Sequence, residues 1–268
     1  MAITTYDKLI AGLAARQSLP IYKNSIATQS AGGFTSLWLA GGSPAAGRAP
    51  TGAATCTKAT VGAVPFNNPG GTNILYLAGL DWVPVTPHGL FLIDRVSDMG
   101  GLGGNTIGDQ TVNLTIPANR GLAATGIDAQ WWLEIQTDIG TTARTLTITY
   151  KDGLDADAEK TITVSLGGAS PLNQDSRAFP IFPNEGQSIK EIVKCSMPTG
   201  TGTAGLFGFA CSRIIASKPC GTANVGVSYD FAQVGMPQIY ADSCLSFMIA
   251  ASNATTGIQT GLLTLVEG

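Results

Sequence analysis

Three neighbouring stretches, 130–137, 143–150 and 161–166, alternate apolar and polar side chains at a period of two, and this commits the chain to a large antiparallel β-sheet. In the second stretch Leu146, Ile148 and Tyr150 share one side, and Thr145, Thr147 and Thr149 the other. The third sets Ile162, Val164 and Leu166 against Thr161, Thr163 and Ser165, so the two form a hairpin with one apolar and one hydroxyl-lined face. In the first, Trp131 goes with Leu133 and Ile135 toward the core. Trp132 shares its side with Glu134 and Gln136 and is expected either at an interface or sugar platform, or under a loop of the same chain.

Further strands are expected at 34–40, 74–77, 90–95, 110–116, 189–196, 205–215, 245–251 and 259–266, separated by Gly/Pro turns. Many short strands without a long helical period point to an all-β fold, an antiparallel β-sandwich or jelly roll. Thr4 or Thr5 is placed to cap a short helix running to about Gln17, with Leu9, Ile10 and Leu13 on its apolar face. From 18 to 73 the chain is broken repeatedly by Gly and Pro. The expected division is an N-terminal arm and irregular region, 1–72, and a sandwich domain, 73–268. Residues 223–240 show no period and are expected to hold a short helix or an excursion between sheets.

Only 12% of the 268 residues are charged, about half the usual fraction of roughly 25%, and there are 34 Gly and 14 Pro. Such a surface favours extended contact with other subunits. A net charge of −3, with no Lys/Arg run longer than a pair, argues against nucleic acid as a partner. No secretory signal is visible at 1–20, and no apolar run approaches the roughly 18 residues of a membrane helix, so a soluble protein made in the cytoplasm is expected, with no membrane partner. The five cysteines, Cys56, Cys195, Cys211, Cys220 and Cys244, have no zinc or thioredoxin-like spacing and are expected to be reduced and structural.

No catalytic signature accompanies the scaffold. His88, the single histidine, lies in a Pro-His-Gly turn signal and is expected as a solvated turn residue. Asp152, Asp155, Asp157 and Glu159 crowd a hairpin tip, but their order departs from the EF-hand pattern, and carboxylates on one loop lack the opposed geometry of a glycosidase pair. A solvated tip that discourages edge pairing is the expectation. The glycine cluster 98–105 lacks phosphate-loop spacing and is expected as a loop passing close to another backbone, at a subunit contact. No metal, no cofactor and no enzymatic activity are expected.

The opening MAITTYDKLIAGLAARQSLP, SLWLAGGSPAAGRAP, DRVSDMGGLGGN, QWWLEIQTDIGTTARTLTITY and the closing GLLTLVEG resemble a group of tailed-bacteriophage virion proteins. The resemblance runs through most of the chain, although none of these blocks is a catalytic motif. It implies a capsid decoration (cement) protein on the outer capsid surface, made in the host bacterial cytoplasm. The implied partners are the major capsid protein and the chain itself, as a homotrimer. Mild acidity suits the outside of a head better than a surface facing DNA. By residue type, Tyr6, Leu9, Leu13, Tyr22 and Trp38 are the expected contacts of the arm, and Trp132 a contact of the sheet surface. A tail-tip or fibre domain binding host glycan is the alternative, and a hydrolase the weakest reading.

Overall fold

The computed structural model describes residues 2–26, 29, 31–48, 50–254 and 257–268. The chain opens with α1 (Tyr6–Ala14), β1 (Gln17–Lys23), β2 (Phe34–Ser36), β3 (Gly42–Ser43) and β4 (Ala54–Thr55), then β5 (Leu75–Pro84), β6 (His88–Gly103) and β7 (Gly108–Thr115). There follow β8 (Gln130–Ile135), β9 (Arg144–Asp152), β10 (Ala158–Leu166), β11 (Arg177–Ile181), β12 (Ile189–Met197) and β13 (Leu206–Cys220). The chain closes with β14 (Val227–Tyr229), α2 (Phe231–Val234), β15 (Gln238–Ile239), β16 (Leu245–Ala251) and β17 (Gln259–Glu267). It is an all-β, antiparallel, layered fold with a short N-terminal helix.

The middle layer is a closed ring. Strands β13, β8, β11, β2, β16 and β6 pair in that order, and β6 pairs back onto β13, so the ring has no free edge. Two strands of this ring, β6 and β13, are long enough to bend through three bulges and serve both halves of the molecule. One outer sheet, in the order β10-β9-β12-β7, covers one side of the ring. The other, in the order β14-β5-β17-β1-β3 with β15 also on β5, covers the opposite side.

Side-chain alternation then assigns the cores. Leu146, Ile148 and Tyr150 of β9 point inward with Ile192 and Cys195 of β12 and meet Trp131, Leu133 and Ile135 of the ring. On the other side Leu75, Leu77 and Trp82 of β5 and Leu263 and Leu265 of β17 meet Leu90, Leu92, Leu245 and Phe247. The threonine row of the β9–β10 hairpin stays outward, with Thr149 opposite Thr161 and Thr147 opposite Thr163.

Several sequence expectations change. The glycine cluster is no loop: residues 98–103 continue β6. Its close approach is real but lies within the chain, because a Cβ on Gly100 or Gly208 would run into Gln136, whose Oε1 accepts from Gly101 N at 3.0 Å. His88 is not a solvated turn residue either. It begins β6, is buried, and donates from Nδ1 to the Thr86 carbonyl at 2.8 Å. In the N-terminal region, β1 lies between β17 and β3, and β2 belongs to the ring, so these stretches are built into the sheets. All five cysteines are free and buried.

Candidate interaction surface

Thr5 caps α1, its Oγ1 accepting from Lys8 N at 3.3 Å, with Asp7 in the first turn suiting the helix dipole. The helix rests on β17 through Leu9 and Gly12. A Cβ at Gly12 would come within 3.0 Å of the Glu267 carbonyl, so glycine permits this close seat. Tyr6 and Ile10, one turn apart, remain 77% and 63% exposed, and half-buried Leu13 continues their stripe. Ile3, Tyr6, Leu9, Phe231 and Met236 border an apolar hollow of about 260 Å³ beside them. An apolar stripe next to an apolar hollow is suited to holding another protein surface. Ile10, read from the sequence as part of the inward face, belongs to this outer stripe, and its i,i+4 spacing from Tyr6 is the signal that could have found it.

The other residues expected as contacts are distributed differently. Tyr22 faces outward from β1 at 42% exposure, while its neighbours Ile21 and Lys23 are buried. Lys23 Nζ donates to the carbonyls of Ala40, Pro44 and Ala45 at 3.0–3.3 Å, and burial lowers its pKa to about 8. Leu9 is spent on the helix seat. Trp38 is buried, donating from Nε1 to the Arg48 carbonyl at 3.1 Å beneath the Arg95 guanidinium. Trp132, placed from sequence on the sheet surface, is only 3% exposed. The reason is ring closure: the β8 face carrying Trp132 and Glu134 turns into the barrel, where the indole packs on Phe34 and donates to Ser212 Oγ at 2.8 Å.

Ring closure also gathers charges that sequence reading missed. Arg95 holds both Glu134 oxygens, at 2.9 and 2.7 Å, and Asp98 through Nε at 2.9 Å, all buried. Burial opposes the charge of Arg95, yet the two carboxylates outweigh it and hold its pKa above the ordinary arginine value. Beside it Asp94 accepts from Arg120, from Ser243 Oγ at 2.8 Å and from Cys244 N at 2.8 Å. With every carboxylate in these sets engaged, they act as struts of the barrel.

At the acidic tip, Asp152 Oδ1 accepts from Leu154 N and Ser188 N, each at 3.0 Å. Asp155 pairs with Lys160 at 2.7 Å and Asp157 with Lys190 at 2.8 Å. Among the described residues no cluster of His, Cys, Asp and Glu is placed to hold a metal ion, and no helix is long and apolar enough to cross a membrane.

Comparison with known protein families and with curated proteins finds no match. Among solved structures, the VP2 subviral particle of infectious bursal disease virus aligns at 9% identity and a TM-score of 0.18, over 93% of this chain and 81% of that one. The structure of the Gt strain of the same virus aligns at 9% identity and a TM-score of 0.17, over 94% and 80%. Superpositions this loose carry no argument about fold or role.

Proposed function

We propose that this chain is a virion structural subunit of the decoration type, binding the outer surface of a bacteriophage head and tying capsomers of the major capsid protein together as a homotrimer. The sequence resemblance supports the class. The observation that carries the reading is the Tyr6–Ile10 stripe, exposed on a helix already seated by its adjacent Leu9–Gly12 side, with half-buried Leu13 continuing it. A layered β body with many strands is stiff, and modest contacts repeated by symmetry give a lattice binder its avidity.

The test is co-sedimentation of purified protein with heads lacking it. Changing Tyr6 and Ile10 together to Ser, or deleting residues 1–16 while keeping β1, should leave the β fold intact and reduce head binding at least tenfold. Unchanged binding by both variants sinks the assignment of the helix face.

A glycan-binding role has one supporting feature, though not the predicted Trp132. Asn68, Asn119, Gln238, Tyr240 and Asp242 border a cleft of about 540 Å³, offering planar amides and a phenol of the kind that hold sugar hydroxyls. Binding on a glycan array that is lost in Tyr240→Ala would favour it.

A further inference from the structure

We infer that Cys56 and Cys244 form a built disulfide site, open in a reducing medium and closed by thiol–disulfide exchange once the protein meets a small-molecule disulfide; the site is independent of the proposed place in a virion. The two residues, far apart in sequence, meet along one edge of β6. The other edge of β6 pairs with β13, so β16 and β4 share the remaining edge and lie end to end. At their junction Cys56 N donates to the Val96 carbonyl at 3.0 Å and Arg95 N to the Cys244 carbonyl at 2.9 Å, which sets the two cysteines beside consecutive residues of one strand.

The junction is held from a second direction. Arg120 donates through Nη1 to the Cys56 carbonyl at 2.6 Å and makes an ion pair with Asp94, whose Oδ1 accepts from Cys244 N at 2.8 Å. The side chains converge too: a thiol–thiol hydrogen bond joins Cys56 to Cys244, and both pack with Trp38 and Ala63 in a cluster of their own. Cys195 and Cys211 belong to one large core and Cys220 to the other.

That hydrogen bond, with burial, raises the Cys56 pKa, so the sealed thiol stays protonated and inert. Access needs only a local opening, because Cys56 lies between exposed Thr55 and half-buried Thr57, and β4 is two residues long. With oxidised glutathione, one thiolate attacks to give a mixed disulfide and releases one glutathione; the other thiolate displaces the second. Two electrons and two protons pass to two reduced glutathiones, and one S–S bond forms for the one broken. The link ties the irregular segment before β5 to the ring and, by closing most of the chain into a loop, restricts the unfolded state.

The experiment incubates the full chain in sub-denaturing urea with reduced and oxidised glutathione, alkylates free thiols under denaturing conditions and maps the peptides by mass spectrometry. A Cys56–Cys244 linked peptide should be the main product, and the linked protein should melt about 5–10 °C above the same sample treated with reductant. Cys244→Ser should remove both the linked peptide and the shift; if that variant fails to fold, mapping of the unaltered chain still decides. Both cysteines left alkylated or capped by glutathione in excess oxidant, either one linked to a different cysteine, or no rise in Tm on oxidation would each overturn the site.

Discussion

His88 shows how a side chain's burial sets its chemistry. Its Nδ1 proton goes to the Thr86 carbonyl, while Nε2 is buried without a partner, so protonating Nε2 would strand a charge. Burial lowers its pKa below the ordinary 6.5, the Thr86 bond opposing only in part. As pH falls, the unfolded chain takes up the proton first; the stabilisation is whole above about pH 6.5 and is lost as pH drops through the folded pKa. Because the chain has a single histidine, its ring-proton NMR signal can be followed without ambiguity, and its midpoint should fall below 6.5. A midpoint at or above that value would contradict the buried neutral ring. The Arg95–Glu134 pair makes a second prediction at this scale. Glu134→Gln leaves a buried guanidinium with only Asp98 and should cost about 3 kcal/mol of unfolding free energy in urea, whereas removing Arg95, Asp98 and Glu134 together in favour of apolar residues should recover part of that loss.

Among the elements, the β9–β10 hairpin was fully legible, because one of its faces is buried and the other solvated, and alternation survives only in that situation. Strands β1 and β11 were missed from the sequence, and each carries a proline, Pro20 and Pro180, that removes a ladder donor. Among the described residues, both prolines lie where one side of the strand is unpaired: β3 reaches only Tyr22 and Lys23 of β1, and β2 only Arg177 and Ala178 of β11. The burial of Trp132 was equally hidden, because a polar face that closes into a barrel looks in sequence like a face turned to water. Of the candidate surface, the capped helix could be read, but which of its apolar residues faced outward depended on where β17 lay. The acidic tip between β9 and β10 tests the geometry directly. Its three aspartates are taken up by Leu154 N, Ser188 N, Lys160 and Lys190, so millimolar calcium should leave the melting temperature unchanged. A calcium-dependent rise abolished by Asp155→Asn would show that those ion pairs give way to a metal.

For the whole molecule, the decisive feature is that β6 and β13 are shared. Leu90 and Leu92 of β6 pack into one core and Val96, Met99 and Leu102 into the other; Ile215 and Phe209 of β13 divide in the same way. Neither outer sheet can lose its packing without loosening strands that floor the opposite core and close the ring. The molecule should therefore unfold as one unit despite having two large cores. Native cysteines report on each: Cys195 is buried in one core and Cys220 in the other. Thiol labelling along a urea series, read by peptide mass spectrometry, should give coincident midpoints for the two. Leu92→Ala touches only the core of Cys220, yet at a cost of roughly 2–5 kcal/mol it should lower both midpoints together. If Cys220 became reactive at lower urea while Cys195 kept its original midpoint, the two halves would be separate cooperative units, and the long strands would join them without coupling them.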